Sequence, residues 1–155
     1  MAFILIPDEG EMTALKNFLA DGGAAGVVVL EPWLLKLYKN DYTPISTSTD
    51  ADFTDADFVG YAPVSLVRDT LAGHWSVPAE QAPTDAWDTQ PLVAESTYAV
   101  QIWTGTGNTI YGYRVVGVTS LKVIWAQRFD TPHVLTVINP LVLTPRIGLC
   151  SSNPA

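Results

Sequence analysis

The chain has little charge, one cysteine and two histidines. Charged residues make up 15% of its 155 residues, compared with about 25% in an average globular domain. The 8 basic and 16 acidic residues give a net charge of -8, which opposes binding to a nucleic-acid backbone or to an anionic membrane. Because Cys150 is the only cysteine, the chain cannot form a disulfide within itself. With only two histidines, His74 and His133, the chain has few ligands for a transition-metal centre. We therefore expect no cofactor, no nucleic-acid partner and no membrane partner.

Long apolar runs are also missing. The run Phe3-Ile4-Leu5-Ile6 ends at Pro7 and follows no basic segment, so it fits neither a signal peptide nor a membrane span. We expect synthesis in the cytoplasm. The hydrophobic fraction of 48% predicts a folded chain, and the length fits a single domain over residues 1–155.

One segment has the spacing of an amphipathic helix. Between Glu11 and Ala20 the apolar residues recur every three to four positions, and Asp21-Gly22-Gly23 ends the pattern. We therefore expect residues 1–25 to form an N-terminal arm and one short α-helix.

The rest of the chain has short runs rich in Val, Ile, Tyr, Trp and Thr, which predict β-strands. The expected strands are residues 26–31, 33–39, 61–68, 98–103, 109–118, 121–129, 133–138 and 141–149. Residues 70–95 contain three prolines and no clear periodicity, so we expect a long irregular excursion there. Short strands after one leading helix predict a mainly β fold, an antiparallel β-sandwich or jelly-roll-like domain.

Four clustered aspartates form a candidate metal site in one loop. Asp50, Asp52, Asp55 and Asp57 carry the oxygen ligands that calcium prefers, but the loop lacks the central glycine and the closing glutamate of an EF-hand. The alternative is a solvated loop in which Thr54 caps a one-turn helix. We favour the solvated loop and expect no metal site, with calcium binding left open as the alternative.

Sequence motifs for catalysis are missing. The chain has no Gly-x-Ser-x-Gly and no His-Glu-x-x-His sequence. Gly105-Thr106-Gly107-Asn108 lacks the Lys-Ser/Thr pair of a phosphate-binding loop and fits a hairpin turn. No assembled set of nucleophile, base and carboxylate is visible, so we expect no catalytic residues and a protein that is not an enzyme.

Five tryptophans raise the question of which rings are buried in the core and which contact a partner. Trp33, Trp103 and Trp125 fall in strand patterns and are expected in the core, because aromatic residues suit strands. Trp75 and Trp87 lie in the proline-broken excursion, where large rings are better explained by contact with another chain. Phe3, Ile4 and Leu5 in the apolar arm are expected either to add to the sheet edge of a neighbour or to form a strand of the chain's own sheet.

Several sequence blocks follow one another in a set order along nearly the whole chain. They are IPDEGE at 6–11, LKLYKNDYTP at 35–44, DFTDADFVGYA at 52–62, TIYGY at 109–113, WAQRFDTP at 125–132 and LTPRI at 143–147. In this order they resemble a family of small structural proteins encoded by tailed bacteriophages. The resemblance implies a virion component of the capsid decoration (cement) type or of the tail type, and not an enzyme.

The expected role is therefore that of a capsid decoration protein, made in the host cytoplasm and located in the virion. Its partners would be the major capsid protein or other virion proteins, and its own copies in a closed homo-oligomer, with a trimer favoured. A tail or tail-tip structural protein is the alternative. A carbohydrate-binding jelly-roll module is a more distant one, and it would require exposed rings along a groove.

Overall fold

The computed structural model describes residues 31–69, 71–77 and 92–150. This part of the chain is mainly β with antiparallel pairing, which confirms the predicted class. Its strands are β1 (Trp33–Tyr38), β2 (Val64–Leu66), β3 (Leu92–Thr97), β4 (Gln101–Trp103), β5 (Thr109–Gly117), β6 (Val123–Val134), β7 (Leu141–Leu143) and β8 (Arg146–Cys150). One short 3₁₀ helix spans Asp50–Asp52.

The chain divides into two compact units, each made of separate segments. Unit 2 consists of residues 31–67 and 100–143. The described part of unit 1 consists of residues 68–69, 71–77, 92–99 and 144–150. A single domain over residues 1–155 stays a prediction.

A four-stranded antiparallel sheet in the order β2-β1-β5-β6 forms the frame of unit 2. Because side chains alternate along a strand, Trp33 and Leu35 of β1 share one face, where both are buried. On that face the ring of Trp33 meets the ring of Trp125 edge-on, with centroids 5.3 Å apart. Lys36 lies on the opposite face, and its cross-strand neighbour in the register of β1 with β5 is Arg114. The sheet thus has one apolar face and one face that carries Lys36 and Arg114.

The central strand β5 contains a glycine that the sheet requires. Gly112 pairs with Tyr38 of β1, and a Cβ at Gly112 would lie 2.5 Å from the Tyr38 hydroxyl oxygen. It would also clash with the Gln127 carbonyl oxygen of β6. Glycine lets the Tyr38 side chain cross β5, so that its hydroxyl lies 3.3 Å from the Tyr42 carbonyl oxygen and 3.4 Å from that of Gln127.

The long edge strand β6 corrects the prediction of two strands over 121–129 and 133–138. Gly112 pairs with Arg128 and Ile110 with His133, so the pairing advances two residues on β5 and five on β6. The extra residues of β6 form a bulge around Asp130-Thr131-Pro132. Proline has no N–H to donate and is tolerated at a bulge, so it does not end the strand.

A second, two-stranded sheet in unit 2 joins β4 and β7. Trp103 pairs with Leu141, and Ile102 pairs with Val142. Trp103 and Leu141 are buried, so the alternation of side chains places Ile102 and Val142 on the other face. We call these two strands the β4–β7 ribbon.

Unit 1 contains the pair of β3 and β8, which corrects two further predictions. Residues 92–95, expected in the irregular excursion, are part of β3 and pair with β8. The strand expected over 141–149 is two strands, β7 and β8, separated at Thr144-Pro145. The sequence signal for this break is Pro145, which cannot donate to a ladder.

Some predictions lie outside the described residues. They include the helix over Glu11–Ala20, residues 26–30 of the first expected strand and most of the 70–95 excursion. In the described ranges no helix is long and apolar enough to cross a membrane.

Candidate functional site

The aspartate loop of unit 2 is held to the sheet by ion pairs. Lys36 and Arg114 are neighbours on the cation-bearing face, and the loop brings Asp50 and Asp55 to both of them. The Lys36 Nζ lies 3.1 Å from Asp50 Oδ2 and 3.7 Å from Asp55 Oδ2. The Arg114 Nε donates to Asp50 Oδ1 at 2.5 Å, and its Nη2 donates to Asp55. Two cations and two anions therefore form one compact network.

Aromatic packing places this network at the edge of the core. The guanidinium carbon of Arg114 lies 5.0 Å from the centroid of the Phe53 ring, and that ring packs edge-on against Tyr38 and Tyr42. The Arg114 side chain is only 1% exposed. Burial opposes ionisation of Asp50, but hydrogen bonds from Arg114 and Lys36 outweigh it and lower the Asp50 pKa.

The other two aspartates of the loop also have partners within the chain. Asp57 lies 2.5 Å from Lys39 Nζ and accepts a hydrogen bond from the Asn108 amide. Asp52 accepts the Thr49 backbone N–H at 2.7 Å. The helix cap is thus Thr49 and the helix is Asp50–Asp52, which corrects the cap predicted at Thr54.

The candidate calcium ligands are therefore used to fasten a loop. Each of the four carboxylates faces a cation or an N–H group of its own chain. Among the described residues, no group of three or more His, Cys, Asp or Glu side chains is arranged to hold a metal ion. The geometry is that of a structural clamp.

A histidine and an aspartate form the second polar cluster, in unit 1. His74 Nδ1 lies 2.5 Å from Asp69 Oδ1, and that oxygen also accepts the Leu71 backbone N–H at 3.0 Å. Burial opposes ionisation of Asp69, but the Leu71 N–H and the His74 ring outweigh it and lower the Asp69 pKa. The same turn has Gly73 at φ +87°, a conformation that favours glycine.

The surroundings of this pair point to a structural role for it. A cleft of about 370 Å³ is lined in part by His74, and the ring of His74 stacks on Tyr98 at 6.1 Å. The hydroxyl oxygen of Ser76, two residues after His74, accepts the Thr97 backbone N–H at 3.0 Å. Within the described residues no hydroxyl or thiol is hydrogen-bonded to His74, and the contacts of Asp69 with His74 and with the Leu71 N–H order this turn. His133 lies in unit 2, where its Nε2 contacts the Asn139 carbonyl oxygen at 3.3 Å.

The outer face of the β4–β7 ribbon is apolar and exposed. Ile102 and Val142 lie directly opposite each other and are 62% and 56% exposed. Val100, two residues before Ile102, is also exposed. Contiguous exposed aliphatic residues of this kind are typical of protein interaction sites.

The turn that leads into β7 adds two more aliphatic residues. Thr136 and Asn139 exchange backbone hydrogen bonds at 3.1 and 3.4 Å, which makes Val137 and Ile138 the central residues of a tight turn. Turns favour Gly, Asn, Asp, Pro and Ser at such positions. Ile138 departs from this preference, since it is a large aliphatic residue that is 92% exposed. We use the name ribbon surface for the exposed apolar set of Val100, Ile102, Val137, Ile138 and Val142.

The predicted interface residues have separate outcomes. Trp75 is 1% exposed, and its ring packs edge-on against Tyr98 at 5.1 Å. Its ring is part of the packing of unit 1 and is not the exposed contact that was expected from its irregular segment. Phe3, Ile4, Leu5 and Trp87 lie outside the described residues and stay predictions.

The distribution of charged residues along the sequence carries a signal for the ribbon surface, although no chemical motif marks it. Residues 100–113 and 131–143 contain no Asp, Glu, Lys or Arg. At the chain's overall charged fraction of 15%, about four charges would be expected in these 27 residues. The pairing of β4 with β7 brings the two uncharged segments together.

Comparisons with protein-family models, with curated proteins and with solved structures found no match to this chain. Function is therefore inferred from the ordered sequence blocks and from the ribbon surface.

Proposed function

We propose that the protein is a non-enzymatic structural protein of a tailed-bacteriophage virion, and that it decorates the capsid through protein–protein contacts. The observation that carries this proposal is the ribbon surface, an exposed apolar face without charge. The core of a protein interface is depleted in charged residues, as this surface is. The ordered sequence blocks supply the virion context.

The polar groups of the described residues support a role without catalysis. Asp50, Asp55 and Asp57 of the clamp are engaged by Lys36, Lys39 and Arg114, and Asp52 accepts the Thr49 backbone N–H. The Asp69–His74 pair is engaged in a turn. Catalysis needs groups free to exchange protons with a substrate, whereas these groups are arranged to hold loops in place.

The fold supports the same proposal. Antiparallel strands with large buried rings, such as Trp33 and Trp103, suit the sandwich or jelly-roll arrangement that the sequence predicts. Trp33, Trp75 and Trp103 are 6% exposed or less, so these three rings do not line a sugar groove, which is an argument against the carbohydrate-binding alternative.

Binding to particles tests the proposal. Purified protein is mixed with phage particles that lack it, and the particles are sedimented with their bound protein. Saturable co-sedimentation with the capsid supports decoration, and binding confined to isolated tails supports the tail alternative. Failure to bind either fraction contradicts a virion role.

A further inference from the structure

We infer that the outer edge of β6, over residues 125–128, is a docking site for an extended segment of another polypeptide. The segment adds to the four-stranded sheet as a fifth strand and places an aliphatic side chain in a cleft beside Ala126. The site is formed by other strands than those of the ribbon surface, and the inference does not rest on the virion role.

The two edges of the four-stranded sheet differ. One edge is β2, which has only three residues and follows Pro63. The other edge is β6, which has 12 residues, and no other described strand pairs with its outer side. The pairing of β6 with β5 is regular over residues 125–128 and shifts on both sides of them. Short strands, prolines and bulges keep other chains from pairing with a sheet edge, which leaves residues 125–128 as the regular open stretch.

The backbone of this stretch has groups that face β5 and groups that face outward. The Gln127 carbonyl oxygen faces β5, because it lies 3.4 Å from the Tyr38 hydroxyl that crosses β5 at Gly112. Successive residues of a strand direct their backbone groups to opposite sides, so the N–H and C=O groups of Ala126 and Arg128 face away from β5. In the described part of the chain these outward groups have no hydrogen-bond partner. They require an occupant with donors and acceptors at the same spacing, which an extended polypeptide has.

A cleft beside the edge defines the side chain that the added strand carries. Ala126 lies opposite Arg114, so it shares the face of the sheet that carries Lys36. On that face a cleft of about 370 Å³ is lined by Pro44, Ile45, Ser46 and Ser48 and by residues 123–126. None of these lining residues is charged, and Ile45 is 63% exposed. Because cross-strand neighbours share a face, the residue that pairs with Ala126 directs its side chain to the cleft, where an aliphatic group contacts Ile45.

Charge distinguishes the partner from a second copy of this chain. With 16 acidic and 8 basic residues, two copies repel each other as they approach, whereas a neutral or basic segment is not repelled. Asp130, two residues beyond the open stretch, is exposed and forms no ion pair with another described residue. A basic residue at one end of the added strand complements this carboxylate. The occupant is therefore an extended segment with an aliphatic residue opposite Ala126 and a basic residue at the end beside Asp130.

A library of random linear seven-residue peptides, selected against the full-length protein, supplies the probe. The strongest binder is made as a free fluorescent peptide, and its affinity is measured by fluorescence polarisation. We expect this peptide to contain aliphatic residues and a basic residue near one end. Methylation of each backbone nitrogen in turn should weaken binding about tenfold or more at alternate positions only, since alternate N–H groups of an added strand face β6.

Variants of the protein locate the bound peptide. Ile45→Ser removes an aliphatic contact from the cleft and should weaken binding about fivefold or more. Val59→Ser is the matched control, because Val59 is 94% exposed and lies outside the cleft, and it should bind like wild type.

Two proline variants test the direction of the backbone groups. Ala126→Pro removes an outward N–H, so it should abolish peptide binding and keep the fold, since proline is tolerated where the N–H of an edge strand faces solvent. Gln127→Pro removes an N–H that faces β5 and should lower the melting temperature sharply. Circular dichroism and thermal unfolding measure both, and an equal loss of stability would contradict the outward direction of the Ala126 N–H.

A library that yields no binder overturns the inference. So do methylation effects that do not alternate, or binding that Ile45→Ser and Ala126→Pro leave intact. Two further results would assign the edge to the chain's own copies and overturn the choice of another polypeptide. One is a peptide of residues 1–10 of this chain that binds with the same dependence on the variants. The other is self-association of wild type in sedimentation velocity that Ala126→Pro abolishes.

Discussion

Arg114 is a charged residue on the central strand β5, and its side chain is only 1% exposed. Removing a cation from water is costly, and here Asp50, Asp55 and the face of Phe53 replace part of the lost hydration, while Arg114 Nη1 has no hydrogen-bond partner among the described residues. These contacts fix the position of the aspartate loop on the sheet. Sequence alone indicated the cluster of carboxylates but not their partners, because Arg114 is distant in sequence from the loop.

The clamp predicts a difference between two aspartates. Asp50→Asn leaves the buried Arg114 with one carboxylate partner, so the variant should lower the free energy of unfolding by about 2 kcal/mol. Breaking a fully buried ion pair costs roughly 3 to 5 kcal/mol, and the loss is smaller here because water partly screens Asp50. Asp57→Asn is the control and should change stability far less, since its pair with Lys39 is exposed. Urea unfolding of the three proteins measures this, and equal losses would contradict the clamp.

The lowered Asp50 pKa predicts an acid dependence. A carboxyl whose pKa is lower in the folded state than in the unfolded state stabilises the fold above its unfolded pKa, and this contribution is lost as pH falls through the folded pKa. Between about pH 5 and pH 2, wild type should therefore lose stability more steeply than Asp50→Asn. Urea unfolding midpoints of both proteins, measured across this pH range, test the prediction. Parallel curves of midpoint against pH would show that Asp50 does not contribute to the acid dependence of stability.

At the scale of strands, sequence periodicity predicted those strands whose positions depend on the local sequence alone. The alternation of β1 and the β-branched and aromatic residues of β5 were sufficient for the positions of these two strands. The bounds of β6, β7 and β8 were missed for another reason: Pro132 sits in a bulge and does not break its strand, whereas Pro145 does. The local sequence does not distinguish these two prolines, because the difference lies in how each segment pairs with its neighbouring strand.

The two faces of the β4–β7 ribbon predict opposite results from neighbouring residues. Trp103→Ala removes a buried ring and should cost about 3 to 5 kcal/mol of stability. Ile102→Ala changes an exposed side chain and should stay within about 0.5 kcal/mol of wild type. Thermal or urea unfolding compares them, and a large loss for Ile102→Ala would show that its face is covered within the monomer.

For the whole molecule, composition predicted a folded acidic chain and the strand patterns predicted the mainly β class, whereas the ribbon surface depends on strand pairing. Segments 100–113 and 131–143 are unremarkable when read separately, and they become one uncharged face only through the pairing of β4 with β7. Trp75 shows the converse, since an irregular segment suggested an exposed ring and tertiary packing buried it. Burial is a property of the assembled fold, which local sequence does not determine.

The copy number of this chain in purified phage particles tests the proposed role most directly. Quantitative mass spectrometry against the major shell protein, on particles freed of unbound protein, gives that number. We predict a copy number comparable with that of the shell protein, in a fixed ratio from one preparation to the next. A few copies per particle would contradict decoration and support a tail component, and absence of the chain from the particles would contradict the virion role.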